Sequence, residues 1–266
     1  MTEQVRPVEG AVVARLRAAG CVFAEDEARI LLASADTDAD LEAMVAARVA
    51  GRPLEHVVGW AEFCGLRVQV DPGVFVPRRR SELLVRLAAA AGGSTVLDLA
   101  CGSGAIGLAV TARTPVDLHA ADVDPAAVAC ARRNLAPVGG RVYEGDLYGA
   151  LPDELRGRVD VVVANVPYVP TEAVDLMPPE ARLFEPLAAL DGGADGLDLL
   201  RRAAAGAGDW LRPGGRLLIE TSIDQAAAAA RAYGDAGLEP TVAYDDDLGA
   251  TVVNGTWLRS SGDRGR

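Results

Sequence analysis

A turn built on three glycines constrains this chain more than any other feature. The mostly apolar run 96–100 is followed by Gly102, Gly104 and Gly107, spaced G-x-G-x-x-G, and then by the helical segment 105–113. Glycines at that spacing let a strand pass sharply into a helix and let backbone approach a bound ligand closely. The alternation continues from there. Strand-like runs cover 116–121, 141–144, 159–164, 216–220, 241–244 and 251–258, and helical segments cover 125–135, 197–211 and 224–236. Strands alternating with helices predict an α/β fold with parallel strands covered on both faces. The last two strands have no helix between them, so an antiparallel hairpin is expected at the sheet edge.

Residues 1 to about 70 read differently. Val12, Val13 and Leu16, then Ile30, Leu31 and Leu32, then Leu41, Met44, Val45 and Val49 recur at helical spacing. Asp38 and Asp40 are candidate caps for the third of these helices, and Gly51-Arg52-Pro53 ends it. The segment 63–70 alternates like a strand and is expected to pair with Val74-Phe75-Val76 in a hairpin joining two lobes. On sequence the chain therefore divides into a helical N-terminal domain with its hairpin linker, 1–75, and a larger domain, 76–266. The tail 260–266 is expected to fray.

Composition narrows the function. Half of the 266 residues are hydrophobic, enough for one substantial core, yet no apolar run approaches the roughly 20 residues of a membrane span. Residues 1–10 carry Glu3, Arg6 and Glu9 without a signal-peptide centre, so a cytoplasmic location with no membrane partner is expected. The formal charge is −12, which disfavours non-specific binding to nucleic acid. All 26 basic residues are arginine, which excludes a lysine Schiff base or lysine general base. Cys21, Cys64, Cys101 and Cys130 form no C-x-x-C pair and read as buried free thiols. His56 and His119 lack metal-ligand spacing, so no metal site and no histidine-dependent triad is expected.

Asp122 ends the strand after the glycine turn, about 20 residues on, where a carboxylate can accept both hydroxyls of an adenosine ribose. This pattern alone fits a nicotinamide dinucleotide as well as S-adenosyl-L-methionine. Asp98, inside the strand before the glycines, favours the latter, because it can meet the ammonium of a methionine moiety. Gly145-Asp146-Leu147 follows the next strand, where Asp146 can accept from an adenine amino group and Leu147 can cover the ring. Asn165-Val166-Pro167-Tyr168 follows the run 159–164. The asparagine carbonyl oxygen and the Val166 backbone carbonyl can accept hydrogen bonds from a substrate NH2, Pro167 stiffens the turn, and Tyr168 can pack on a planar group. Together these motifs point to methyl transfer onto an amide or exocyclic amine nitrogen. Pro77-Arg78-Arg79-Arg80-Ser81-Glu82 is either a solvated cationic face or an anion-binding surface, with Glu82 placed to favour a helix start.

From about residue 50 to 258 the chain resembles the HemK/PrmC family of protein-glutamine methyltransferases. The resemblance is carried by 52–59, Phe63-Cys-Gly-Leu66, 70–78, Glu82-Leu-Leu-Val85, 98–104, 165–168, 185–193 and Asp195-Gly-Leu197. It implies a class I methyltransferase fold, a Rossmann-like seven-stranded sheet with a small helical N-terminal domain that docks a substrate protein. It implies methylation of a glutamine side-chain amide, in the family's best-known case in the Gly-Gly-Gln loop of peptide-chain release factors. By position, it makes Ala100, Cys101, Gly102, Ser103 and Gly104 the cofactor loop, Asp122 the ribose carboxylate, Asp146 and Leu147 the adenine neighbours, and Asn165 to Tyr168 the amide clamp. This chain departs from the family where Val166 replaces a second proline and where Arg79 and Arg80 replace a proline and an acid. The strand end Glu220-Thr-Ser222 also lacks an expected glycine. The alternatives left open are an amino-methyltransferase acting on a nucleic-acid base or a divergent substrate, a non-catalytic cofactor-binding module and, more remotely, a nicotinamide dehydrogenase.

Overall fold

The alternation after residue 94 becomes a single seven-stranded sheet in the computed structural model, which describes residues 5–258. Ahead of it lie helices α1 (Val5–Ala18), α2 (Ala24–Ser34), α3 (Asp38–Val49) and α4 (Leu54–Val58), then a two-stranded hairpin of β1 (Trp60–Phe63) and β2 (Leu66–Gln69). The main sheet follows in the chain order α5 (Glu82–Ala91), β3 (Thr95–Leu99), α6 (Ala105–Arg113), β4 (Asp117–Asp122), α7 (Pro125–Leu135), β5 (Arg141–Glu144), β6 (Val159–Ala164), α8 (Pro179–Phe184), α9 (Asp198–Trp210), β7 (Leu211–Thr221), α10 (Ala226–Asp235), β8 (Leu238–Asp245) and β9 (Ala250–Trp257).

In space the strands run β5-β4-β3-β6-β7-β9-β8. The first five are mutually parallel, and β9 enters antiparallel between β7 and β8. The expected edge hairpin is therefore present. Strand order reverses between β3 and β6, and in open α/β sheets ligands bind outside the carboxyl ends of the strands at such a reversal.

Two-residue alternation sorts each strand's side chains between the faces. Leu97, Leu99, Val162, Leu217 and Ile219 join Ala203 and Ala207 of α9 and Tyr233 of α10. Val96, Val161, Val163 and Leu218 pack on the other face against Leu84 and Val85 of α5, Val110 of α6 and Leu135 of α7. All six residues of β6 are buried, as a strand covered on both sides requires. The same alternation sends two acids inward on the α5–α6 face: Asp98 with Val96, and Glu220 with Leu218.

Helices α1–α3 close around their own core of Val12, Leu16, Leu31, Leu41 and Val45. The cap of α3 is Thr37, not Asp38 or Asp40. Its extended backbone frees Oγ1 to accept from Asp40 N at 3.1 Å, while the hydroxyl donates to Asp40 Oδ2 at 2.7 Å. The hairpin also differs from expectation. The chain turns at Cys64-Gly65, both at positive φ (54° and 76°), and 60–63 rather than 74–76 pairs with 66–69. Two consecutive left-handed residues make the tight turn that matches strand twist. Val74 and Val76 instead bury beside Ala61, Val70, Ala127 and Cys130. Phe63 and Val68 of the hairpin pack with the sheet's α5–α7 core. The tail 260–266 lies outside the described residues. No described helix is long and apolar enough to cross a membrane.

Candidate active site

Four loops at the carboxyl rim of the sheet border one cavity of about 360 Å³. They leave β5 (Asp146, Leu147), β4 (Asp122), β3 (Ala100 to Ser103) and β6 (Asn165, Pro167), in that spatial order. At roughly 4.8 Å per strand spacing, the rim from β5 to β6 spans about 15 Å, enough for an extended nucleoside–amino-acid conjugate.

The glycine turn is anchored from both sides. Gly102 N donates to Asp122 Oδ2 at 2.8 Å, and Cys101 N donates to Ala121 O at 3.1 Å. Gly102 has φ 54°, and a Cβ there would find no atom nearer than Phe75 Cβ at 4.0 Å, so its backbone faces open cavity. Gly104 and Gly107 serve packing: a Cβ on Gly104 would stand 3.1 Å from Leu135, and one on Gly107 would stand 3.0 Å from Leu118. Ala100 (φ 52°) and Leu147 (φ 47°) hold left-handed backbone at the cavity without being glycine. Each costs roughly 1–2 kcal/mol, a strain that clusters at functional sites.

Asp122 is well placed for a ribose. Oδ2 takes Gly102 N, Oδ1 takes Asp124 N at 2.9 Å, and a carboxylate offers about four acceptor sites. About two therefore remain for ligand hydroxyls. Burial raises its pKa, and the Asp124 and Gly102 amides oppose that rise. Asp146 lines the cavity and accepts from Arg202 Nη2 at 2.5 Å.

Asp98 lies beneath the loop, off the cavity wall. It is fully buried on the α6 face; Oδ2 accepts from Gly107 N at 2.8 Å, while Oδ1 has no hydrogen-bond partner among the described residues. Burial pushes its pKa up to about 8, with the Gly107 amide opposing and nearby Asp122 reinforcing the rise. Gly104, Val166 and Tyr168 are likewise not on the cavity wall.

At the β6 end the Asn165 amide Nδ2 donates to Ser81 Oγ at 3.1 Å, and its Oδ1 meets no donor among the described residues. Tyr168 Oη donates to Glu220 Oε1 at 3.4 Å, and the Arg80 guanidinium lies over the Tyr168 ring, 5.4 Å from its centroid. Glu220, 1% exposed, also takes Arg80 Nε at 3.0 Å. Burial raises its pKa, and Ser81, Arg80 and Tyr168 each favour the charged form.

Sequence reasoning did not single out Ser81 or Glu220 as site residues. Glu220 had a readable signal, a lone acid closing the apolar strand Leu217-Leu218-Ile219. Of the three consecutive arginines, Arg78 grips buried Glu185 with both carboxylate oxygens (2.7 and 2.5 Å), Arg80 pairs with Glu220, and Arg79 is exposed with no ion-pair partner among the described residues. The 185–193 segment returns over the cavity, with Pro186 and Ala189 on its wall.

The fold and this rim define a class I S-adenosylmethionine-dependent methyltransferase. Residues 65–182 match the family described as "Methyltransferase small domain". A release factor glutamine methyltransferase of Cereibacter sphaeroides is 38% identical over 252 residues, covering 86% of this chain and 89% of that one. One from Geobacter sulfurreducens is 41% identical over 188 residues, covering 69% of this chain and 65% of that protein. Among solved structures, a methyltransferase from Pyrococcus furiosus shares the fold with TM-score 0.57 at 17% identity, covering 73% of this chain and 90% of that one. The chain belongs to the release factor glutamine methyltransferase family.

Proposed function

We propose that this protein transfers a methyl group to a glutamine side-chain nitrogen of a peptide-chain release factor, within its Gly-Gly-Gln motif. The observation that carries this reading is one continuous cavity bordered by the glycine turn with Asp122 and, on the strand next to β3, by Asn165 and Pro167. S-adenosylmethionine, when bound, supplies the methyl group on a sulfonium centre. Gly102, Asp122, Asp146 and Leu147 would hold it: open backbone, spare carboxylate acceptors and an apolar cover suit an adenosine. Asp98 acts from below, fixing the helix behind the glycine turn through Gly107.

An amide nitrogen is a poor nucleophile, so orientation and exclusion of water supply the rate. Asn165 Oδ1 and the Val166 carbonyl accept from the substrate NH2 and draw its lone pair out of conjugation. Pro167 fixes the turn that follows them, and Tyr168, held by Glu220 and Gln225, braces it from behind. We further propose that α1–α4 form the docking lobe for the substrate protein. Incubation of purified release factor with enzyme and methyl-labelled S-adenosylmethionine, followed by peptide mass spectrometry, tests the assignment. Label on the motif glutamine supports it. Label on adenine or cytosine of added nucleic acid, with none on protein, moves the enzyme to the base amino-methyltransferases.

A further inference from the structure

The side-chain amide of an asparagine is nearly symmetric in shape, so sterics alone do not decide which end faces a cavity. Here the choice matters. An oxygen facing inward accepts from a substrate NH2, whereas an NH2 facing inward sets donor against donor.

We infer that Ser81 and Glu220 are positioning residues that fix the orientation of the Asn165 amide and so select an NH2-bearing substrate. The inference rests on the clamp reading of Asn165. A hydrogen-bond chain with a fixed direction would set that orientation. Glu220 is nearly inaccessible to water, which raises its pKa, while its ion pair with Arg80 favours the ionised form, and that form can only accept. Arg80 Nε at 3.0 Å and Tyr168 Oη at 3.4 Å both engage Oε1, which leaves Oε2 buried without a hydrogen-bond partner among the described residues. A donor lies close by: the Ser81 hydroxyl, itself 2% exposed and next in the chain to Arg80, is among the groups that favour the charge of Glu220.

A serine hydroxyl has one hydrogen. Turned toward Glu220, it presents only lone pairs to Asn165, which must answer with Nδ2, as the 3.1 Å contact has it. Oδ1 is then left for the cavity. A neutral amide at position 220 would remove the constraint, because it could donate to Ser81, turn that hydroxyl onto Asn165 Oδ1 and flip the amide.

Ser81→Ala, Ser81→Thr and Glu220→Gln in the full chain test this, with labelled methyl donor and release factor as substrate. Ser81→Ala and Glu220→Gln are expected to lower kcat about 10- to 100-fold, with affinity for S-adenosylhomocysteine within about twofold of wild type. Ser81→Thr, which keeps the hydroxyl, is expected to recover kcat to within a few-fold. A purely structural role would lower product affinity and thermal stability together with kcat, and that pattern overturns the inference. So does wild-type turnover in Ser81→Ala and Glu220→Gln. The two residues sit on different elements, so a folding defect in one variant leaves the other as the test. If Asn165→Ala is inactive while Ser81→Ala and Glu220→Gln turn over normally, this inference fails alone. If Asn165→Ala itself turns over normally, the clamp reading fails with it.

Discussion

Gly102 N and Asp122 Oδ2 lie 2.8 Å apart, joining the turn after β3 to the end of β4. One carboxylate thus shapes the glycine loop with part of its acceptor capacity, and the proposed function gives the rest to a ligand ribose. Replacing Asp122 by Ala removes both functions. Hydrogen bonds to charged groups contribute about 1.5–3 kcal/mol each. Loss of one or more weakens S-adenosylmethionine binding by roughly 10- to 100-fold, measured by titration calorimetry. Unchanged affinity would refute the ribose assignment.

Asp98 has a different signature because its charge is unwelcome where it sits. Its folded pKa of about 8 lies above the 3.8 of an unfolded aspartate. The unfolded chain therefore loses this proton first as pH rises, and stability attributable to Asp98 is fully present below about pH 4 and declines up to about pH 8. The groups that face it are the Gly107 amide, which favours the charge, and Asp122, which opposes it. Asp98→Asn retains an acceptor for Gly107 N and cannot ionise. Its stability relative to wild type should rise between pH 5 and pH 8, read from urea midpoints. A pH-independent difference would contradict the buried, neutral-favouring environment.

Much of this fold is legible in the sequence, and what is not has physical causes. Elements Ala105–Arg113, Pro125–Leu135, Arg141–Glu144 and Val159–Ala164 begin and end where periodicity placed them, because local signals mark them. Asp124, for example, caps α7 by accepting from Ala126 N, with Pro125 at the first turn. Strand β7 was read too short. Its first residues run through Pro213, Gly214 and Gly215, which look like a loop, yet Leu211 pairs with Val159 across a register shift. The motifs at the strand ends found most of the cavity wall. They could not show that Asp98 points under the loop, which follows from strand parity, or that Arg78 and Arg80 are consumed by Glu185 and Glu220. Those pairs join segments far apart in the chain, and no local pattern encodes them.

Gly196 tests how the loop after β6 supports Tyr168. It has φ 77°, and a Cβ there would stand 2.2 Å from Tyr168 O and 2.4 Å from Gln225 Nε2. Gln225 Nε2 itself donates to Tyr168 O at 2.9 Å, so the added atom strikes a backbone carbonyl already held in place. Gly196→Ala is expected to cost about 1–3 kcal/mol and to lower turnover more than cofactor affinity. Equilibrium denaturation and steady-state kinetics check both; an alanine variant as stable as wild type would show that this loop yields freely.

Arg48 is the polar link between the N-terminal helices and the loop over the sheet. Its Nε and Nη2 donate to Glu27 at 2.6 and 3.1 Å, and Nη1 donates to Arg52 O at 3.0 Å and Glu180 Oε2 at 3.2 Å. The Glu27 hydrogen bond is the largest influence raising the Arg48 pKa. The two carboxylates differ in setting: the Glu27 side chain is 12% exposed and the Glu180 side chain 42%. Removing a partner from a buried pair leaves a stranded charge and costs roughly 3–5 kcal/mol. Breaking a half-exposed pair costs about 0–1 kcal/mol. Arg48→Ala should therefore destabilise α1–α3 markedly, Glu180→Gln scarcely at all, and a Glu27→Leu/Arg48→Met double variant should regain most of the loss. Hydrogen exchange resolved along the chain measures this, with protection in α1–α3 falling in Arg48→Ala before that of β3 and β6. Because Glu180 sits in the first turn of α8, which Arg48 reaches, Glu180→Gln still has a use. If α1–α4 dock the substrate protein, it should raise KM for release factor while leaving affinity for S-adenosylmethionine alone. Equal effects on both would deny that this link orients the lobe.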